Sequence, residues 1–400
     1  MAAAPLAAAT TSTVADPALS GWIKAVLSQN PALWAAEAAV AAAGDRVRAA
    51  EQPLFNPELE FEHETSDVNT TAGGIRQTID WADKRGARTA VADHELKGAR
   101  AGFHARRQEL ATELLQALAD WHTADGIARA GRKQAELMAH FVRLAERRRE
   151  AGDLGQTELD QAHLAAADAA FRQAVAREEL IRANRDVTAL TGAKAPGRPA
   201  LPEQLPAIDS RRLDTERLLD ELPSHQVALA RVAAADAAVR LSIREKRPDP
   251  TVGIRAGKED SESLAGVTLS VPLFVRNRFR AEVDVANAEL IQATREADSH
   301  RQQSRADLLA AAESYRNARQ AWNTWTATGA PRLSQRTELL ERLWQAGELG
   351  TTDYLVQLKQ ALDTEVGAIE QRGRMWRAWV AWLAAAGRID QWLNLAGDEQ

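Results

Sequence analysis

Glu58, Glu60, Glu62 and Glu64 occupy every second position of one short stretch, with Leu59 and Phe61 between them. Carboxylates at that spacing share one face of an extended chain. There they can hydrate a polar wall, or attract divalent cations and pass them along; both readings stand at this point. Tight metal binding needs clustered ligands at close spacing. The chain has no cysteine, its eight histidines are scattered, and His63 falls on the strand face opposite Glu62 and Glu64. No HExxH motif, nucleophile–base pair or phosphate loop is present. The chain therefore reads as a non-enzyme, without cofactor or resident metal.

The glutamates need a strand to align them. Asn56-Pro57 opens a run of about 57–65, a polar loop spans Ser66 to Gly74, and a second alternating run of about 74–82 sets Ile75, Ile79 and Trp81 against Arg76, Thr78 and Asp80. Two period-two runs joined by a polar loop form a hairpin, which is marginal alone. Everything around it reads as helix. The composition is rich in alanine, glutamate and arginine, which favours long, closely packed helices. The net charge of −6 is spread through both halves, with arginines interleaved among acids, so nothing points to nucleic acid. No run of 18 apolar residues exists, hence no transmembrane helix. Residues 1–16 read as disordered, and Met1 to Thr10 resembles a stretch that follows a signal-peptide cleavage site.

A helix starts at Asp16-Pro17, breaks at Asn30-Pro31 and resumes to Glu51. After the hairpin, apolar residues at Leu96, Ala99, Phe103, Leu110, Leu114, Ala117, Trp121, Ala124 and Ala128 average a 3.5-residue step, the heptad period of a coiled coil. This long helix of about 87–151, roughly 100 Å at 1.5 Å per residue, turns at Ala151-Gly152-Asp153-Leu154-Gly155 into a helix of about 156–190. Residues 192–209 are Pro/Gly-rich and read as a linker. The pattern then restarts. Leu222-Pro223, Asp249-Pro250, strands of about 250–258 and 264–273, a long helix of about 278–345, Ala346-Gly347-Glu348-Leu349-Gly350 and a helix of about 351–386 repeat the earlier order. Gly74 matches Gly266, Arg88 matches Arg280 and Gly152 matches Gly347, so the chain is a duplication, 17–191 and 210–388, with 389–400 as a tail. Trp376, Trp379, Trp382 and Trp392 read as core packing.

Four strands per chain cannot close a barrel, and open edges are not tolerated in lipid. Strands of about nine to eleven residues suit a tilted membrane crossing. The alternation therefore fits several chains contributing to one barrel, the apolar face outward; a soluble sheet packed on a helix remains the other reading.

Thr78 to Arg88 (TIDWADKRGAR) and Leu269 to Arg280 (LSVPLFVRNRFR) resemble the strand-to-helix passages of TolC-type outer-membrane efflux proteins. The VPLF-x-RNR and KRGAR forms look most like the branch serving heavy-metal efflux, the cobalt-zinc-cadmium and copper-silver systems. The two Ala-Gly-acidic-Leu-Gly turns resemble that family's periplasmic tips, and the resemblance covers residues from about 17 to 390. It implies a mainly α, tandem-duplicated fold with a long coiled-coil tunnel. Each chain of a homotrimer would add four strands to a 12-stranded barrel in outer-membrane lipid, the helices reaching into the periplasm of a Gram-negative cell. It also implies a periplasmic adaptor and an inner-membrane, proton-driven pump of the RND type. The channel would conduct cations such as zinc, cobalt, cadmium, copper or silver passively. A drug or type I export channel of the same fold is one alternative; a soluble coiled-coil scaffold is another.

The resemblance assigns roles to individual residues. Asp353 matches an acid that narrows the closed periplasmic entrance, and Glu158 holds the equivalent place after the first tip. A second acidic position of the family is Val356 here, so its double ring is not preserved. Gly152, Asp153, Gly155, Gly347, Glu348 and Gly350 form the tips that would dock the adaptor, and Glu58, Glu60, Glu62 and Glu64 would face the lumen.

Overall fold

The structure, a computed structural model, describes residues 14–67, 69–192, 197–208 and 213–395. Most of the segment read as disordered (1–13), parts of the linker region (193–196 and 209–212) and the last five residues of the tail lie outside these. In chain order the elements are α1 (Pro17–Leu27), α2 (Pro31–Ala50), β1 (Glu58–Thr65), β2 (Asn69–Thr78), α3 (Lys84–Glu150), α4 (Gln156–Thr191), α5 (Thr215–Glu221), α6 (Pro223–Glu245), β3 (Thr251–Glu259), β4 (Glu262–Ser270), α7 (Arg280–Thr324), a π-helical turn (Trp325–Gly329), α8 (Ala330–Gln345), α9 (Thr351–Ala385) and α10 (Ile389–Trp392). They fall into two compact units, and each unit draws on both sequence repeats. One comprises Pro31–Arg106 and Leu219–Ser304; the other comprises the chain up to Asn30, Arg107–Leu218 and the chain from Arg305.

The first unit carries the sheet. Its four strands are antiparallel in the order β1-β2-β3-β4, which leaves β1 and β4 as edges unpaired among the described residues. β2 begins at Asn69, five residues earlier than its sequence suggests, and ends at Thr78 rather than near 82. Asn69, Ala72, Gly73 and Gly74 are poor strand formers, but the stretch is held in ladders by β1 on one side and β3 on the other. Tertiary pairing overrides their local preference. β4 spans Glu262–Ser270 and stops short of 273, because Pro272 has no N–H for a ladder. Gly257 marks a close backbone approach: a Cβ there would collide with the Thr71 carbonyl and Ala72.

The second unit is helical. α4 buries Ala162, Ala169, Ala176 and Ala183, one per heptad, the smallest side chain that still excludes water at a seam. The second long helix is not continuous over 278–345. Pro331 lacks an amide hydrogen and its ring crowds the carbonyl four residues back. The helix accommodates this with one widened turn, in which the Ala330 amide donates to the Trp325 carbonyl five residues earlier. The stretch beyond 388 is not simply a tail. Ile389–Trp392 forms α10, Ile389, Trp392, Leu393 and Leu395 are buried, and Arg107 reaches Asp390 at 2.7 Å. Trp376 and Trp379 are buried against Trp392, with ring centroids 6.1 and 5.7 Å from it.

The Pro/Gly-rich segment between the repeats is tied down along its described length. Its carbonyls have no regular ladder to enter, and side chains from three helices satisfy them instead. His122 meets the carbonyl of Pro199 at 2.7 Å. Arg372 donates to Leu201 (2.8 Å), Trp376 to Pro202 (3.1 Å), Trp322 to Glu203 (3.3 Å), Arg319 to Leu205 (3.2 Å) and Tyr315 to Pro206 (2.5 Å).

Candidate functional site

The register of the sheet sorts its side chains into two faces. Glu58 lies opposite Arg76, Glu60 opposite Gly74, Glu62 opposite Ala72 and Glu64 opposite Thr70. Continued across β3 and β4, that face also carries Arg255, Glu259, Glu262 and Thr268. The other face carries Leu59, Phe61, Ile75, Val252, Ile254, Val267 and Leu269. None of the described residues covers it: Leu59 is 86% exposed, Phe61 75% and Val267 77%. A contiguous apolar face of this kind needs a non-aqueous neighbour. No helix among the described residues is long and apolar enough to cross a membrane.

The glutamate ladder is partly neutralised. Arg76 sits 3.1 Å from Glu58 and 3.4 Å from Glu60, and Arg255 sits 3.5 Å from Glu62. Such exposed pairs add little stability, about 0–1 kcal/mol each, but they set where negative charge is concentrated. Glu64 shares its cross-strand row with Thr70, Glu259 and Glu262, so the excess charge gathers at the turn end of the sheet. Sequence reading missed Arg255. Its place beside Glu62 depends on β2 pairing with β3, and no local pattern announces that pairing.

The passage from sheet to helix explains the TIDWADKRGAR stretch. Asp80 accepts from the backbone amides of Lys84 and Arg85, both at 2.8 Å, and so caps α3. Lys84 reaches Asp249 at 2.8 Å, both side chains largely buried. The Ile79 amide donates to the Pro250 carbonyl at 2.9 Å. Arg88 donates to the carbonyls of Ala49, Ala50 and Gln52 at the end of α2. Asp83 has φ 55°, and its carboxyl, held by Arg244, titrates below the usual carboxylate range. These residues fix where the strands leave the helices.

The two tips are the same turn built twice. Gly152 (φ 85°) and Gly347 (φ 77°) take the left-handed conformation that ends a helix. The Asp153 amide donates to the Arg148 carbonyl, and the Glu348 amide to that of Leu343, the six-to-one bond of a Schellman turn. Gly155 and Gly350 then start α4 and α9 in extended conformation. Here the two acids part company. Glu158 folds back so that its carboxylate accepts from the Gly155 amide at 3.0 Å. Asp353, also in the first turn of its helix, is exposed, and its carboxylate has no hydrogen bond or ion pair among the described residues.

An aromatic cluster that the sequence did not reveal locks these tips. Phe141, Trp344 and Tyr354 lie with ring centroids 4.6, 5.4 and 5.1 Å apart, and Arg148 stacks over Trp344 at 4.6 Å. Leu154, Leu340 and Leu358 complete the core. Burial pushes the Tyr354 hydroxyl up to about 12. Among the described residues no three His, Asp or Glu side chains converge as metal ligands would.

Residues 22–193 match the family described as "Outer membrane efflux protein". The nickel-cobalt-cadmium resistance protein NccC of Alcaligenes xylosoxydans xylosoxydans is 26% identical over 298 residues, which span 69% of this chain and 66% of NccC, just under two thirds. Among solved structures, the Campylobacter jejuni CmeC outer membrane channel superposes with a TM-score of 0.77 at 15% identity, covering 92% of this chain and 85% of CmeC. CusC, whose structures concern transmembrane channel formation, superposes with a TM-score of 0.75 at 15% identity, covering 94% and 93%. At such identities the superpositions speak for the fold.

Proposed function

We propose that the chain is a member of the outer membrane efflux protein family, whose pattern residues 22–193 match, and that it is the outer-membrane channel of a proton-driven tripartite system that expels heavy-metal cations. One observation carries this reading. The four-stranded sheet has an uncovered apolar face, a polar acidic face and two free edges. Three copies joined edge to edge would close twelve strands, with the apolar face toward lipid and the glutamates toward water. NccC, by its name a nickel-cobalt-cadmium resistance protein, supports metal cations as the cargo. The tip residues Gly152, Asp153, Gly155, Gly347, Glu348 and Gly350 are where a periplasmic adaptor would meet the chain, handing on cargo from an inner-membrane RND-type pump.

The purified protein is expected to run as an SDS-resistant trimer in detergent and to conduct in planar bilayers. A detergent-free monomer that never conducts would overturn the channel. Deleting the gene is expected to lower tolerance to nickel, cobalt, cadmium, zinc, copper or silver. A loss of drug tolerance with unchanged metal tolerance would reassign the cargo.

We place the periplasmic gate at Asp353, because its carboxylate is not engaged by its own helix. Glu158 would add charge while holding the start of α4. Three copies of a free carboxylate in a narrow ring focus cations. Asp353→Asn is expected to lower cation preference by on the order of tenfold and to raise leak conductance, while Glu158→Gln changes conductance less and frays α4. Single-channel recordings in asymmetric salt measure this; identical selectivity in Asp353→Asn would remove the gate from that residue.

A further inference from the structure

In the helical unit, α3, α7 and α9 enclose a cleft of about 480 Å³ to which the channel reading gives no role. Three tryptophans line it. Trp376 forms a buried wall, and Trp322 and Trp325, three residues apart on one face of α7 and its π-helical turn, are half-buried. The widened turn seats the Trp325 ring directly over Gly329, where any Cβ would collide with it. Trp325 is therefore held in place before any ligand arrives. Widened turns of this kind concentrate at functional sites.

The polar lining is biased toward positive charge. Arg129, Lys133 and Arg372 face a single lining carboxylate, Glu365. Asp125 holds Arg129 at 3.1 Å, which leaves the cleft one positive charge in excess in a chain of net charge −6. Arg372 is fixed by its bond to the Leu201 carbonyl at 2.8 Å, and Lys133 is exposed with no ion-pair partner among the described residues. The rings are not inherited from the duplication. At the 195-residue offset that relates Gly152 to Gly347, positions 322, 325 and 376 correspond to Ile127, Ala130 and Ile181.

We propose that this cleft is a binding site for a planar aromatic carboxylate. Ring faces stack on Trp322 and Trp325, and the carboxylate meets Lys133 and the guanidinium fork of Arg129, the pairing that such groups favour. The volume suits a small organic molecule, and a few fixed polar groups on an otherwise apolar wall are what orient one.

Calorimetric titration of the full-length protein in detergent with 2-naphthoate tests the site. Saturable binding at one molecule per protomer is expected. 2-Naphthylmethylammonium, with the same ring and opposite charge, and cyclohexanecarboxylate, with the same charge and no π face, are expected to bind at least about tenfold more weakly. Lys133→Glu and Trp325→Ala should each weaken naphthoate by about tenfold or more, while Lys97→Glu, in the sheet-bearing unit, leaves it unchanged. Lys133→Gln, a change at an exposed position, repeats the test if Trp325→Ala does not fold. Absence of saturation, equal binding of the ammonium probe, or wild-type affinity in the Lys133 variants would each overturn the proposal.

Discussion

Lys84→Met is expected to destabilise the protein by about 3–5 kcal/mol, because it strands a buried carboxylate. Lys84 and Asp249 meet at 2.8 Å with only 14% and 8% of their side chains exposed. The second oxygen of Asp249, Oδ1, is buried and has no hydrogen-bond partner among the described residues, so removing the ammonium leaves a buried charge that none of them compensates. The pair itself is a different matter. Two charges removed from water recover little net free energy by meeting, and a matched apolar pair commonly does as well or better. The double variant Lys84→Met/Asp249→Leu should therefore regain most of the loss. Unfolding midpoints of the purified protein in denaturant measure both. A single variant with the wild-type midpoint would show that the site hydrates when the lysine is gone. The position matters because Lys84 begins the long helix and Asp249 precedes β3. Loss of the bridge loosens the point at which the sheet is aimed.

Trp344→Ala is expected to cost about 3–5 kcal/mol at the tips, the range for emptying a large aromatic from a packed core. Trp344 is 3% exposed, stacks on Tyr354, packs at a tilt against Phe141 and lies beneath Arg148. Its effect should be local, since the cluster joins the last turns before both Schellman reversals. Faster hydrogen exchange at 141–154 and 340–358, and tryptic cleavage at Arg147, Arg148 and Arg149, would report it. Trp344→Phe should be much milder. The indole nitrogen of Trp344 is buried without a hydrogen-bond partner among the described residues, so the smaller ring forfeits volume but no bond. Equal exchange rates in wild type and Trp344→Ala would show that the aromatic cluster does not hold the tips closed.

The two variants also separate what the sequence discloses from what it hides. Proline and glycine punctuation marks helix ends because each acts through its own backbone. Asp16-Pro17 starts α1, and Gly152 and Gly347 end their helices with positive φ. Alternation exposes the glutamate face because the period of two is a property of the strand alone. What stays hidden depends on partners far along the chain. Asn69 to Gly74 read as a loop until β1 and β3 flank them. Arg255 reads as one more arginine until the register sets it beside Glu62. Phe141 stands some two hundred residues from the rings it stacks on. Pro331 was visible, but whether a helix breaks, bends or widens by one residue is decided by what its neighbours can absorb. Glu158 and Asp353 are equivalent by spacing, and only side-chain geometry distinguishes a carboxylate spent on its own helix from one left free.

The six carbonyls between Pro199 and Pro206 that receive side chains from α3, α7 and α9 lie at the joint of a duplicated chain. A joint between repeats is ordinarily the place where sequence is cheapest to change and a protease cuts first. Here it behaves as a splint. Proline suits it, because a segment with few amide donors and preset φ offers outward carbonyls without competing for them. The two halves can therefore no longer vary as independent copies: Tyr315, Arg319, Trp322, Arg372 and Trp376 in the second half, and His122 in the first, answer to one shared strip of backbone.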